Sequence, residues 1–226
     1  MIDSHPSVEI DKFASDVKNA LQRNSDVEEY QNLGEISDLS AIGSAVVYAT
    51  VVSVYIEENS YRSQSDRATI TQAVYTALAE NPCCKDVFSL GNKIVGIFNS
   101  PFKSDIDSAL DSVGKVNALF NLVNKIYRQS MHGTLTCGIG MSYGKVLMVK
   151  SLDGEHPQYA WSGEAVSVAT KLSTSTSGRA EDKVCASFSI YNNLKEDYQK
   201  LFSRVTGYYE ATPVNIAMNK WINANV

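Results

Sequence analysis

Two polar side chains, a hydroxyl and an ammonium, stand four residues apart in one amphipathic segment. Ser167 and Lys171 lie within residues 164–173, where apolar residues recur at helical spacing. Residues four apart share one face of a helix, so the hydroxyl and the ammonium would point in the same direction. An ammonium is a compact positive charge that can bind phosphate, although it lacks the two-pronged geometry of arginine. The plainer alternative is that Lys171 is a solvated residue on the helix surface.

Two further polar residues, Thr50 and Asn92, carry oxygen atoms but no charge. Thr50 lies inside the apolar run 45–56, and Asn92 follows Gly91 between two short apolar runs. Carboxylates hold Mg²⁺ and Mn²⁺ tightly, whereas a hydroxyl or an amide oxygen brings no charge. The plainer alternative is that Thr50 is a strand residue and Asn92 belongs to a turn, where asparagine is common. We therefore expect no metal ion to be held at these positions.

Alternating strand and helix patterns must position these side chains. The unbroken β-branched run 45–56 predicts a buried central strand, and residues 63–80 and 105–128 carry apolar residues at helical spacing. Short apolar runs at 87–90 and 94–98, on either side of Gly-Asn, predict a β-hairpin. The other predicted elements are a helix at 8–23, a connector at 24–44, strands at 135–141 and 146–149 around a turn at 142–145, a helix at 164–173, a strand at 184–188, a partial helix at 190–202, and strands at 205–209 and 214–218.

The order strand–helix–strand–strand–helix–strand predicts an α+β fold. It fits a ferredoxin-like βαββαβ core with appended C-terminal strands and a helix. We predict that residues 1–44 form an N-terminal helix and connector and that residues 45–226 form one domain.

The composition argues against several classes of function. A formal net charge of -5 disfavours nonspecific binding to nucleic acid or to an anionic membrane. No apolar run approaches the roughly 20 residues that span a bilayer, and the first residues lack the basic flank and apolar core of a signal peptide. The four cysteines show no Cys-x-x-Cys spacing, which disfavours a zinc site and favours a reduced, cytoplasmic protein.

Residues 157–172 keep many positions of a known sequence motif. They resemble the segment P-Q-Y-D-x-W-G-x-x-V-N-x-A-x-R-L/M of class III nucleotidyl cyclases, the adenylyl and guanylyl cyclases. Three shorter segments support the resemblance in the same order along the chain. Residues 46–52 are similar to V-x-F-A-D-I-x, residues 88–98 to K-x-x-G-D-x-x-x-x-x-F, and residues 137–146 to G-I-x-x-G-x-V. The resemblance covers residues 45–218, most of the chain, and implies the class III cyclase fold.

The resemblance assigns roles to positions whose residues have changed. In the family two carboxylates hold two Mg²⁺ or Mn²⁺ ions, and the matching positions here are Thr50 and Asn92. The family's base-reading Lys and its partner Asp correspond to Phe88 and Ala160, which cannot make those hydrogen bonds. Phe88 could still stack on a base, although an aromatic residue in a strand more often belongs to the core.

The remaining catalytic positions are also substituted. The family's Asn and Arg correspond to Ser167 and Lys171, and a late Lys before Gly corresponds to Thr206 before Gly207. Lys171 keeps a positive charge but loses the bidentate fork of arginine. Every catalytic polar position of the motifs is substituted, whereas their apolar positions are kept. This pattern indicates that the fold serves something other than the parent reaction.

This pattern predicts a degenerate cyclase-like domain. It would be a weak or inactive pseudocyclase that serves as a dimerisation, regulatory or ligand-sensing module, without a cofactor. The alternative is a divergent cyclase that uses Mg²⁺ or Mn²⁺ to make a 3′,5′-cyclic nucleotide, such as cyclic UMP or CMP, in bacterial signalling. The chain resembles in size the bacterial pyrimidine cyclases of anti-phage defence, which replace the purine-reading residues but are expected to keep both Asp residues. A third interpretation is a structural partner of a neighbouring cyclase.

The resemblance also predicts an assembly, because the family's active site lies across a dimer interface. We expect a homodimer or a heterodimer with a related cyclase chain, with a nucleotide as the candidate ligand. The strands that hold Phe98 and residues 146–149, with Trp161 nearby, are the expected contact surface. If only the side chains have changed, Thr50→Asp combined with Asn92→Asp would restore metal binding.

Overall fold

One mixed sheet organises the chain, which the computed structural model describes over residues 14–15, 17–19, 27–35, 44–131, 133–153, 156–175 and 183–226. Its strands are β1 (Glu29–Tyr30), β2 (Ser44–Ile56), β3 (Cys84–Leu90), β4 (Lys93–Asn99), β5 (Cys137–Asp153), β6 (His156–Ser162), β7 (Val184–Ala186), β8 (Ser203–Val205) and β9 (Tyr208–Ala211). The helices are α1 (Gln64–Ala79), α2 (Lys103–Gln129), α3 (Glu164–Ser175), α4 (Phe188–Asn193), α5 (Glu196–Gln199) and α6 (Ile216–Asn225). Within these ranges no helix has the length and apolar character needed to cross a membrane.

β2 is the central strand, as its unbroken apolar run predicts. It pairs antiparallel with β4 on one side and with β5 on the other, in the sheet order β3-β4-β2-β5-β7-β9-β8. β6 pairs with the far end of β5, and β1 runs parallel to the start of β2. The elements β2-α1-β3-β4-α2-β5 form the βαββαβ core, which β7 to β9 and α6 extend. The predicted α+β fold is therefore confirmed.

Both faces of β2 are buried, which explains why its apolar residues do not alternate with polar ones. One face packs against α1 and α2, and the other, which we call the α3 face, packs against α3. The β2 residues of the α1–α2 face are Val52, Val54 and Ile56. Those of the α3 face are Val47, Ala49 and Val51. The sheet therefore separates two apolar clusters.

Local signals set the ends of α1 and of the β3–β4 hairpin. The Ser63 hydroxyl accepts a hydrogen bond from the Asp66 backbone N–H at 3.1 Å and so caps α1. Gly91 has a φ of 62°, which glycine adopts without strain, and it closes the predicted turn. Beyond α1, the Asn81 side chain donates to the Ser108 carbonyl at 2.8 Å and fixes the end of α1 against α2. The predicted helix and hairpin are confirmed.

Two other elements differ from their predictions. Residues 142–145, predicted as a turn, lie inside the continuous strand β5, because each of them pairs with a residue of β2. Residues 214–218, predicted as a strand, lead instead into α6. The Asn215 side chain accepts the Met218 backbone N–H at 2.9 Å, and this cap starts the helix at Ile216.

The N-terminal region is described in part. Of the predicted helix 8–23, residues 14–15 and 17–19 are helical, and the rest of that prediction lies outside the described residues. Within the predicted connector 24–44, β1 pairs with β2, and Leu33 is buried against the α3 face. The described part of the connector therefore packs on the sheet.

The surface expected to contact a second chain is largely interior. Phe98 is fully buried in the cluster between the sheet and the α1–α2 layer, so its predicted place on a dimer surface is wrong. Val146 and Met148 are also fully buried, while Val149 is 40% exposed and Trp161 is half-buried. Of the residues expected to contact a second chain, only the outer ones of the β5–β6 hairpin remain available.

β5 and α3 approach each other so closely that a side chain at Gly140 has no room. A Cβ atom on Gly140 would lie 2.1 Å from the Ala169 carbonyl oxygen and 2.5 Å from the Ser173 backbone nitrogen. A buried hydrogen bond of 3.0 Å between the hydroxyls of Ser53 and Ser173 ties β2 to the same part of α3. The position of α3, which carries two candidate site residues, therefore depends on Gly140.

Gly140→Ala should lower the free energy of unfolding by about 3 kcal/mol, because the backbone of α3 must move to admit the methyl group. Urea unfolding followed by far-UV circular dichroism measures this loss. Gly144→Ala is the matched control on the same strand, since its Cβ would meet only the Ala165 Cβ, at 3.8 Å, an ordinary contact. Equal unfolding midpoints for the two variants would contradict this account.

Candidate functional site

The corner where β2 ends beside the β3–β4 turn encloses a cavity of about 230 Å³. The Ile56 backbone N–H donates to the Asn92 carbonyl at 3.1 Å, so the end of β2 and the turn are joined directly. The 3-10 turn Glu58–Ser60 and the first turns of α1 lie at the same corner. The polar residues that line this corner cavity are Glu58, Tyr61, Arg67, Thr71, Ser89, Asn92 and Lys93.

The structure does not bring Thr50 and Asn92 together. In the β2–β4 pairing Thr50 lies opposite Phe98, whereas Tyr55 lies opposite Lys93, the residue after Asn92. Thr50 is therefore about 20 Å along the strand from the corner cavity. It is fully buried, and its hydroxyl oxygen has no hydrogen-bond partner in the described parts of the chain. Thr50 and Asn92 cannot ligate the same ion.

The charges in the corner cavity are partly balanced. The Arg67 guanidinium donates to the Glu58 carboxylate at 2.6 Å and lies 6.0 Å from the centre of the Tyr61 ring. Burial raises the pKa of Tyr61 above its ordinary value, so the phenol stays neutral at physiological pH. The Lys93 ammonium lies 5.6 Å from the centre of the Tyr55 ring. With one carboxylate facing two cationic side chains, the corner favours an anion over a cation.

These donors do not fit the two-ion arrangement that the sequence resemblance implies. That arrangement needs two carboxylates side by side. The lining of the corner cavity has one, Glu58, and it is paired with Arg67. Across the parts of the chain that the structure describes, no three His, Cys, Asp or Glu side chains form a group that could hold a metal ion. The corner suits a phosphate group better than a pair of metal ions.

Ser167 and Lys171 lie exposed on α3, as their helical spacing predicts. The Thr170 hydroxyl donates to the Ser167 carbonyl at 3.0 Å, and the Ser175 hydroxyl donates to the Lys171 carbonyl at 2.9 Å. These contacts use the backbone and leave both side chains facing solvent. Neither residue lines the corner cavity of its own chain. Lys171 is therefore not part of the cavity lining within one chain.

The two positions that the resemblance assigns to base recognition, Phe88 and Ala160, lie on β3 and β6. Phe88 is half-buried on β3 and packs against the cluster of the α3 face, and so does Trp161 on β6. The Trp161 indole N–H donates to the Asp86 carboxylate at 2.6 Å. Asp86 and Phe88 project from the same side of β3 because they are two residues apart. Ala160, the neighbour of Trp161 on β6, is exposed.

The position of the family's late lysine lies in a turn. Thr206 and Gly207 connect β8 to β9, so the predicted strand 205–209 is interrupted there. Gly207 has a φ of 92°, a left-handed conformation that favours glycine. Thr206 is exposed at this turn and brings no charge.

A larger cavity, of about 780 Å³, lies away from all of these residues. It opens between α2 and residues 212–217 and has a mostly apolar lining. Its main polar contact is internal, since the Tyr198 hydroxyl donates to the Asp111 carboxylate at 3.0 Å. None of the site residues expected from the sequence lines it, so we place the candidate site at the corner cavity and along the α3 face.

Comparisons with known proteins agree with this architecture. No family model matches the chain. A uridylate cyclase of Treponema porcinum is 24% identical over 226 residues, covering 92% of this chain and 78% of the relative. A class III adenylyl cyclase-like ATP-binding protein from Pseudomonas aeruginosa superposes with a TM-score of 0.64 at 13% identity, over 96% of this chain and 50% of that one. The guanylyl cyclase Cya2 gives 0.58 at 12% identity, over 77% of this chain and 96% of that one.

The chain has the class III nucleotidyl cyclase fold. In this cyclase-like domain Asn92 is the one polar residue of the corner-cavity lining that was identified from the sequence. Glu58, Tyr61 and Arg67 lie in or beside a 3-10 turn and a helix, and the sequence pattern there marks these residues only as exposed or half-buried. The contact between Trp161 and Asp86 was missed for a different reason. The two residues are 75 positions apart, and only the folded sheet brings them together.

Thr50→Val should raise the free energy of unfolding by about 1 kcal/mol, because it removes a buried hydroxyl that makes no hydrogen bond and keeps the shape. Thr50→Asp should lower it by about 3–5 kcal/mol, because it buries a carboxylate without a partner. Thermal unfolding of both variants tests the pair. The combination of Thr50→Asp with Asn92→Asp should bind no Mn²⁺ in calorimetry, since the two side chains lie far apart. Tight binding would contradict the strand pairing.

Proposed function

We propose that this cyclase-like domain is a catalytically silent module that binds a nucleotide as a ligand and does not turn it over. One observation carries the proposal: the β2 residue hydrogen-bonded to Asn92 is the buried Ile56, and the single carboxylate among the described residues that line the corner cavity, Glu58, is paired with Arg67. Without two carboxylates side by side, the protein has no pair of anionic ligands to hold the two divalent ions that would neutralise a triphosphate.

Nucleotide binding is supported by the cationic groups that remain. Arg67 and Lys93 line the corner cavity, whose volume of about 230 Å³ suits a phosphate group better than a whole nucleotide. Lys171 adds an exposed charge on α3. The similarity over 96% of the chain to a protein described as a class III adenylyl cyclase-like ATP-binding protein supports the same proposal. In this account the phosphates are bound by positive charge, without a metal-dependent reaction.

A divergent pyrimidine cyclase is the second candidate, and two observations favour it. The uridylate cyclase of Treponema porcinum matches 92% of the chain. In addition, two acidic residues, Glu57 and Glu58, directly follow β2 at the corner. If the chain were active, these carboxylates would be the candidate metal ligands, in place of Thr50 and Asn92.

We also propose that the domain acts as a dimer, either with itself or with a related cyclase chain. Lys171 and the corner cavity are separate within one chain, and a second chain could place one against the other. The exposed part of the β5–β6 hairpin, where Val149 is 40% exposed, is the candidate contact. Light scattering at micromolar concentration tests self-association, and a monomer would leave only the heterodimer.

Incubation with ATP, GTP, CTP and UTP in the presence of Mn²⁺ should yield no cyclic nucleotide above a heat-inactivated control. Chromatographic separation of the products measures the outcome. Production of cyclic UMP that is lost in Glu57→Gln or Glu58→Gln would overturn the silent-module proposal in favour of the second candidate. Lys171→Ala distinguishes a true activity of this chain from a contaminant, since a contaminating enzyme would not respond to it.

Lys171→Ala should weaken the binding of UTP about fivefold, the effect of losing one exposed charge contact. Isothermal titration calorimetry without divalent metal measures the affinity. Lys220→Ala removes the same charge from the exposed surface of α6 and is the matched control. Binding that is unaffected by Lys171→Ala, or equally affected by Lys220→Ala, would show that the phosphates are not bound by α3.

A further inference from the structure

Glu58 and Arg67 form an ion pair in the lining of the corner cavity. The Arg67 Nη1 donates to a Glu58 carboxylate oxygen at 2.6 Å, and both residues line the cavity. The side chain of Glu58 is 65% exposed and that of Arg67 is 37% exposed. An ion pair this close to solvent stabilises a protein only weakly, because water competes for both charges. An anion that enters the cavity can therefore separate the pair at small cost.

Contacts other than the ion pair hold Arg67 in place. Its backbone N–H donates to the Ser63 carbonyl at 3.0 Å in the first turn of α1. Its guanidinium lies 6.0 Å from the centre of the Tyr61 ring, a distance at which a cation and an aromatic ring attract each other. A guanidinium carries several N–H donors and binds phosphate well. Arg67 would therefore remain at the cavity if Glu58 moved away, with its donors available to a phosphate group.

The turn that carries Glu58 is fixed by its backbone. The Glu57 N–H donates to the Thr136 carbonyl at 2.9 Å, and the Glu57 carbonyl accepts the Ser60 N–H at 3.0 Å. Neither contact involves the side chain of Glu58. Rotation about the side-chain bonds of Glu58 can therefore turn its carboxylate into solvent while the turn stays in place. Arg67 is thus the fixed member of the ion pair, and Glu58 is the movable one.

The rest of the cavity lining also suits a phosphate group. The Lys93 ammonium supplies a second positive charge, and the side chains of Thr71, Ser89 and Asn92 can each donate a hydrogen bond. Among the described residues that line the cavity, Glu58 carries the single carboxylate. Glu58 is therefore the one anionic group of the lining that opposes the binding of an anion.

We propose that the Glu58 carboxylate and a phosphate group compete for Arg67, so that a ligand binds the corner cavity by displacing Glu58. In a cavity of about 230 Å³ two anions at one guanidinium would repel each other strongly. Glu58 therefore sets how tightly the phosphate is held. The proposal rests on the proposed function in taking a nucleotide phosphate as the ligand, and it deepens that function by naming the residue that regulates affinity.

Inorganic pyrophosphate, which carries no base, tests the competition by isothermal titration calorimetry without divalent metal. Glu58→Gln should bind pyrophosphate about threefold more tightly than the parent chain, because Arg67 no longer has an anionic partner. Asp197→Asn is the matched control. It also removes one exposed carboxylate and one ion pair, to Lys200 at 2.7 Å, but neither residue lines the cavity. Equal affinity of Glu58→Gln and the parent chain, or an equal gain in Asp197→Asn, would overturn the proposal.

A double-mutant cycle shows whether the competition acts through Arg67. Arg67→Ala should weaken the binding of pyrophosphate about tenfold, since it removes a charged donor group. Glu58→Gln should give a smaller gain in the Arg67→Ala background than in the parent chain, because the two residues act on the ligand as a pair. A gain of the same size in both backgrounds would mean that Glu58 acts by general repulsion alone, and would overturn the competition for Arg67.

Titration of the same variants with UTP separates this proposal from the proposed function. UTP binding that is indifferent to both Glu58→Gln and Arg67→Ala would overturn the competition and leave the proposed function standing, with the phosphates bound elsewhere. Pyrophosphate binding that follows the expected order, without UTP binding in any variant, would overturn the proposed function and support the competition. Absence of binding by both probes would overturn both proposals.

Discussion

The pairing of β2 with two neighbouring strands is the constraint on which the rest of the structure depends. The strand is paired with β5 along its full length and with β4 over its second half, and both of its faces are buried. A shift of one residue would exchange the residues of the α1–α2 face with those of the α3 face, so the register is strongly fixed. That register decides which side chains reach the corner cavity and which are buried in the middle of the sheet.

As a consequence, residues that match the family motifs in sequence do not lie together in the structure. Matching residues 46–52 to the family's first strand assigns the metal position to Thr50, and matching the hairpin assigns the other to Asn92. Each match is plausible on sequence similarity alone. A metal site, however, needs its ligands within a few ångströms of the same ion, and the β2–β4 pairing places Ile56, six residues further along, beside Asn92. In a long, mostly apolar strand, the sequence alone does not fix which residue lies at the end of the strand.

The parts of the fold that the sequence predicts are those governed by local rules. The Ser63 cap, the glycine turn at Gly91 and the apolar spacing of α1 and α2 act over a few residues, and these elements lie where they are expected. The parts that fail depend on long-range packing. Ser142 to Lys145 have the composition of a turn but stay extended because β2 supplies a pairing partner for each of them. Gly140 has no local signature either, since its small size matters only when α3 lies on β5.

The fold and the candidate site depend on different residues. The stability of the domain comes from apolar burial on both faces of the sheet, from close contacts such as that of Gly140 with α3, and from buried polar pairs such as Ser53 with Ser173. Ser167 and Lys171 are exposed and contribute little to that packing, so they can change at small cost to folding. Trp161 is a different case, because it packs against the apolar cluster and its indole N–H also donates to the Asp86 carboxylate, so a change there would disturb the contact of β6 with β3.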